Sequence, residues 1–149
     1  MSVAEAVGCR WHYDDGGRAA AGFTVSEHDA GDCVARAIAI VTGRPYRMVY
    51  DRLASVAAEM GYPRSARDGV RPKVYKHVLA EWGWEWTPTM QIGSGCTVHM
   101  VADELPSGWI IVRLSKHLAA VVDGVVLDTA DPTRDGTRCV YGYWKRADF

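Results

Sequence analysis

Little in this sequence departs from an ordinary globular chain, and each thing it lacks removes a class of function. Net charge is nearly absent: 17 Lys+Arg stand against 18 Asp+Glu, a formal charge of −1. No block of like charge is long enough to track a phosphate backbone, so neither nucleic acid nor an anionic membrane is an expected partner. Long apolar runs are missing as well. Ala37 to Val41, Trp109 to Val112 and Leu118 to Val122 fall far short of the roughly 20 residues that span a bilayer. The opening MSVAEAVGCRWHYDDGG places acidic residues and glycine where a signal peptide needs a basic and then an apolar segment, so the expected location is the cytoplasm. Cysteine is sparse. Cys9, Cys33, Cys96 and Cys139 are expected to be free, metal-bound or catalytic rather than paired, because cytosolic thiols are kept reduced. Proline and glycine, 6 and 15 residues, are too few and too unpatterned for a collagen-like or disordered chain. No repeat, low-complexity tract or Pro/Ser-rich linker divides the sequence. One domain is therefore expected over 1–149, with 1–30 leading into the first helix.

What is present is a change of periodicity halfway along. Cys33 to Val41 is a short apolar helix candidate, preceded by Gly31-Asp32 and closed by Gly43. Pro45 opens a second helix in which Tyr46, Val49, Tyr50, Leu53, Val56, Ala57 and Met60 recur at three- and four-residue steps, until Gly61 and Pro63 stop it. A third starts near Pro72, with Tyr75, Val78, Leu79 and Trp82 on one face. Trp82, Trp84 and Trp86 suggest a short strand and are taken mainly as core. Thr97 is a candidate cap for a fourth helix with Val98, Val101, Ala102 and Leu105 on one side. Beyond Pro106-Ser-Gly108 the residues turn β-branched and aromatic: 109–114, 117–122, 125–128 and 139–144 read as strands of an antiparallel meander, with Asp123-Gly124 as a two-residue hairpin turn. Helices first and strands second give an α+β fold with the helical half on one face of a sheet.

Two places in this outline carry chemistry. Cys33 begins the first helix, where the positive end of the dipole and unpaired backbone N–H groups favour the thiolate and can hold an oxyanion. The hairpin turn fixes a register in which Val122 faces Val125, Val121 faces Val126 and Ala119 faces Asp128. That register puts His117 and Asp128 on one face, a diagonal step apart. Asp131 falls opposite Lys116 and points away, so Asp128 is the expected partner of the imidazole, fixing its tautomer and supporting its positive form.

The stretch Gly31-Asp-Cys-Val-Ala-Arg-Ala-Ile-Ala-Ile, continuing through Thr42-Gly-Arg-Pro-Tyr46 and Val49-Tyr-Asp51, together with Ser115-Lys-His-Leu-Ala-Ala-Val-Val-Asp-Gly-Val-Val-Leu-Asp128, resembles a group of small papain-like cysteine-peptidase-related proteins of bacteria and their phages. The resemblance runs from about Asp32 to about Trp144. It implies a papain-like fold: a central helix bearing the nucleophilic Cys, packed on an antiparallel sheet bearing His and then Asp or Asn. Carried over, Cys33 is the nucleophile, His117 the general base and then acid, and Asp128 the orienting group. The implied activity is hydrolysis of an amide or isopeptide bond in a protein or peptide substrate, through a thioester and without a cofactor. Acyl transfer of the transglutaminase kind uses the same triad. Where the family carries a Gln about six residues before the Cys to complete the oxyanion hole, this sequence has Ser26, Glu27 and His28. These, or a backbone N–H, are the candidate second donors. The carboxylate of Glu27 has the wrong sign for that task, which supports a second reading, a catalytically silent binding protein on the same scaffold. A third, a zinc-stabilised module, rests on Cys9-Arg-Trp-His12 and Cys96-Thr-Val-His99; both lack the bounding turn of a zinc knuckle, so no metal is expected. His77 is expected at the surface, and 131–138 as a solvated loop placed to rim the site.

Overall fold

A computed structural model of the chain describes residues 8–23, 32–66, 69–90, 93 and 95–147. Among these the backbone forms three α-helices, α1 (Cys33–Thr42), α2 (Tyr46–Glu59) and α3 (Pro72–Glu81), and strands β1 (Arg10–Tyr13), β2 (Trp84–Pro88), β3 (Trp109–Leu114), β4 (His117–Val122), β5 (Val125–Asp128) and β6 (Gly142–Arg146). The strands make one sheet in the order β1-β5-β4-β3-β6-β2, giving a mixed α+β architecture.

The helices end where their sequences predict. Gly43 adopts the left-handed conformation that closes α1, its N–H donating to the Ala39 carbonyl. Pro72 occupies the first position of α3, where a missing N–H costs nothing. Their apolar faces meet on one side of the sheet, in a core that joins Ile38, Leu53, Val78 and Leu79 to Ile111, Leu118, Ala120 and Trp144. α1 lies across β4, with smaller contact to β3 and β5. Both hairpins have two-residue turns. Asp123 and Gly124 take positive φ, as the right-handed twist of a tight hairpin requires, and Ala120↔Leu127, Val121↔Val126 and Val122↔Val125 follow the expected register.

Three parts of the sequence reading are corrected. Residues 97–105 do not form a fourth helix: His99 bridges to Cys139 and Val101 to Gly8, and only Ala102–Glu104 makes a 3₁₀ turn. Met100, which a helical face through Val98 and Val101 leaves out, is fully buried. The segment is an extended strap that covers the second face of the sheet, over Ile110, Val112, Val121 and Val126. Second, the sheet is not wholly antiparallel. β1, in the stretch read only as a lead-in, pairs parallel to β5, so Tyr13 lies beside Asp128. All four β1 residues are exposed, and an edge strand with no buried face shows no alternation to detect. Third, the last strand begins at Gly142 rather than Cys139, and it does not continue the meander beyond β5 but pairs with β3 and β2 on the other side; before it, Val140 and Tyr141 give their N–H groups to Val98 and Arg113.

Cysteine pairing also differs from expectation. Cys96 and Cys139 are joined as a disulfide with their Cα atoms 5.9 Å apart. The antiparallel bridge between His99 and Cys139 and the bond from Met100 N–H to the Arg138 carbonyl bring the two segments side by side. Nothing in a spacing of 43 residues announces that meeting.

Candidate active site

Cys33 is the first residue of α1, and α1 runs over β4 so that this end meets the start of β4, where His117 stands. The tight β3–β4 turn places Lys116 at φ 55°, a left-handed conformation that a non-glycine residue adopts at a cost of about 1 kcal/mol. Arg138 braces this turn by donating through Nη2 to the Ser115 carbonyl at 2.7 Å. The imidazole Nε2 of His117 lies 2.6 Å from Oδ2 of Asp128, the last residue of β5. His117 also hydrogen-bonds the Cys33 thiol, and with Nε2 committed to Asp128 the nitrogen left for sulfur is Nδ1. The sequence order Cys33, His117, Asp128 is thus a continuous hydrogen-bonded chain.

Electrostatics move the first two members toward an ion pair. Burial by itself raises the thiol's pKa. The His117 hydrogen bond and charge, the Leu118 backbone N–H and the Arg36 guanidinium outweigh it and hold Cys33 below the ordinary thiol value. For His117, burial favours the neutral ring, but hydrogen bonds to Asp128 and Cys33 and their negative charges push its pKa up to about 9. Both partners move in the direction that stabilises thiolate with imidazolium. Cys9 is the contrast: burial, with the Asp131 charge adding to it, pushes that thiol up to about 11.

Asp128 is held on every side, and by residues the sequence reading did not single out. Oδ1 accepts from the Thr129 N–H at 2.7 Å and from Arg36 Nη2 at 3.3 Å. Its backbone carbonyl accepts from the Asp14 N–H and from Trp11 Nε1, each at 3.0 Å, both from the β1 side. Arg36 in turn bonds Asp32 through Nη1, and Asp32 also receives Arg18 Nη1 at 3.0 Å on both oxygens and the Tyr46 hydroxyl at 3.0 Å. This explains why Asp32, which precedes α1 where an N-cap belongs, makes no side-chain cap: its oxygens are taken by two guanidinium groups and a phenol. Arg36 was detectable. It is the one charge in CVARAIAIVT, an otherwise uncharged helix, and a buried guanidinium demands carboxylates.

A cleft of about 370 Å³ opens beside the thiol. Val34, Val70, Pro72, Tyr75 and Leu118 give it apolar walls, with Cys33 and His117 on one side and Arg113 and Lys116 lining the remainder. Ser26, Glu27 and His28, the candidate oxyanion donors, lie outside the described residues. Cys33 opens α1, where the first N–H groups of a helix have no partner within it. Trp84 and Trp86 are core rather than cleft: Trp84 is buried, Trp86 packs 4.4 Å from the Trp144 ring, and Trp82 lies under Arg44 after α3 has ended. His77 is exposed beside Glu81. Asp131 turns from the site to bond Thr133.

The two C-x-x-H pairs do not converge. Cys96 is bonded to Cys139, His99 rests on Glu104 at 3.1 Å, and no group of three or more potential metal ligands forms among the described residues. No described helix is long and apolar enough to cross a membrane. Comparison with known proteins identifies no matching family model, no matching curated protein and no matching solved structure.

Proposed function

We propose that this chain is a papain-like thiol hydrolase acting on an amide or isopeptide bond of a peptide or protein. The observation that carries the reading is the Cys33–His117–Asp128 chain at the wall of an open cleft, with a thiol pulled down and an imidazole pushed up toward the same ion pair. In this mechanism the Cys33 thiolate adds to the carbonyl carbon, and the oxygen takes up the negative charge beside the N-terminal N–H groups of α1. As the tetrahedral adduct collapses, the proton on His117 Nδ1 passes to the departing nitrogen; an amine leaves and an acyl thioester remains on Cys33. Water then adds to the thioester as His117 takes its proton, and collapse returns the proton to sulfur or its ion pair and frees a carboxylic acid. Asp128 keeps Nε2 as donor throughout, so that Nδ1 can alternate between holding and giving a proton.

A small activated ester such as p-nitrophenyl acetate tests the chemistry without knowledge of the substrate. The expected result is a burst of one p-nitrophenol per chain, an acetyl group on Cys33 by peptide mass spectrometry, and slow turnover that Cys33→Ala and His117→Ala both abolish. An acetyl-Cys33 that forms no faster than on a free thiol and is never hydrolysed would leave the silent binding scaffold as the better reading.

A further inference from the structure

The cleft beside Cys33 has a charge pattern that an apolar substrate does not explain. Among the described residues its lining includes two cationic side chains, Arg113 and Lys116, and no aspartate or glutamate. Arg113 lies on β3 between two fully buried neighbours, Val112 and Leu114, and its carbonyl accepts the Tyr141 N–H, so its position is set by the sheet. It is half-buried, yet no carboxylate among the described residues pairs with its guanidinium. Other arginines withdrawn from solvent in this protein are matched: Arg18 and Arg36 to carboxylates, Arg138 to the Ser115 and Pro132 carbonyls. A partly desolvated guanidinium facing a cleft is unfavourable unless an acceptor arrives with the ligand.

We propose that the cleft binds a carboxylate-bearing acyl substrate, anchored on Arg113 with Lys116 at its rim. The proposal rests on the reading of Cys33 as the acyl-accepting nucleophile. Guanidinium offers a planar fork that matches a carboxylate, and Val34, Val70, Pro72 and Leu118 suit the methylene stem that joins an acid group to a carbonyl. The imidazolium of His117 adds to the attraction. Two sources supply the same chemistry, an acidic side chain within a peptide and the free carboxylate at a peptide's end.

Protection of Cys33 from iodoacetamide, read by peptide mass spectrometry at a pH where the thiol reacts, distinguishes them without requiring turnover. Three ligands are compared: N-acetyl-Glu-Leu-amide, N-acetyl-Gln-Leu-amide and N-acetyl-Gln-Leu with a free terminus. The expected result is that at least one carboxylate-bearing ligand, at millimolar concentration, slows alkylation about three- to tenfold while the neutral one does not, the protecting member naming the source. Arg113→Gln should erase the difference, and Lys116→Gln, an exposed change that leaves the sheet intact, should weaken it. Equal effects of all three ligands, protection by none, or a difference that survives Arg113→Gln overturns the carboxylate site. The triad reading fails separately, if the unprotected alkylation rate titrates as an ordinary thiol.

Discussion

At the residue scale the site is a proton-sharing problem, and its sign can be worked out. His117 holds its proton to about pH 9 in the folded chain against an ordinary value of 6.5. Its contribution to stability is complete below pH 6.5 and is lost as pH rises through 9. Cys33, held below the ordinary thiol value, works the other way: its contribution is present above that value and lost as pH falls through the folded one. In the wild type these slopes oppose each other. In Cys33→Ser, where Asp128 still raises His117 but the share due to sulfur is gone, chemical unfolding should show stability declining above pH 6.5 over a window that closes before 9, by on the order of 1–2 kcal/mol. Adding Asp128→Asn should flatten that decline; an unchanged slope would mean that Asp128 does not control the ring. Alkylation gives the kinetic counterpart. Cys33 should stay reactive at pH values where an ordinary thiol has become inert and lose this in His117→Ala, while buried Cys9, pushed up to about 11, serves as the unreactive thiol in the same digest.

At the scale of elements, α1 is fastened to the sheet through charge as well as apolar contact. Arg36, 6% exposed, links Asp32 before the helix to Asp128 at the end of β5. Arg36→Ala leaves two buried carboxylates short of a partner and is expected to cost about 3–5 kcal/mol at neutral pH. The loss should appear as a lower urea midpoint of Arg36→Ala; an unchanged midpoint would mean that these ion pairs do not fasten α1 to the sheet. Tyr46→Phe removes only one donor to Asp32 and should cost about 1 kcal/mol. A different constraint governs β6. A Cβ on Gly142 would fall 2.2 Å from the Trp86 ring and 2.8 Å from the Thr87 carbonyl. Gly142→Ala must therefore displace the β2–β6 pairing, at an expected 1–3 kcal/mol in thermal or urea unfolding.

These elements also show what a sequence can reveal. Helices α1 to α3 and strands β3 to β5 were legible because each carries a periodic buried face or an unbroken apolar run, bounded by turn or cap residues such as glycine, proline or Asp-Gly, so pattern and turn chemistry agree. The meeting of His117 with Asp128 followed from the same turn, since a two-residue hairpin fixes register by counting. Residues 97–105 misled because apolar residues at positions 98, 101, 102 and 105 fit a helix, and only tertiary bridges to Gly8 and Cys139 reveal the strap. The Arg18–Asp32–Tyr46 contacts were not legible: residues 14 apart meet there through side chains, with no period to mark them.

For the whole molecule, the sheet has two differently built faces, and they respond differently to reduction. The helical face carries the Cys33–His117–Asp128 chain and closes through α1, α2 and α3. The opposite face is covered by the strap, which leaves the sheet after β2, crosses Ile110 and Val112, and is tied by Cys96–Cys139 to the segment that leads into β6. A cross-link spanning 43 residues limits the unfolded chain and is expected to contribute about 2–4 kcal/mol. Cys96→Ser with Cys139→Ser should lower the urea midpoint accordingly, and added reductant should lower the wild type to the same value while leaving the variant unmoved. The pH profile of Cys33 alkylation in that variant should keep its wild-type shape below the unfolding transition, because the side chains of Cys33, His117, Asp128 and Arg36 take their partners from α1, β4, β5 and the residues that flank them, none of which lies in the strap. A shift of that profile on reduction would show instead that the strap helps to set the geometry of the thiol, and that the two faces act as one unit.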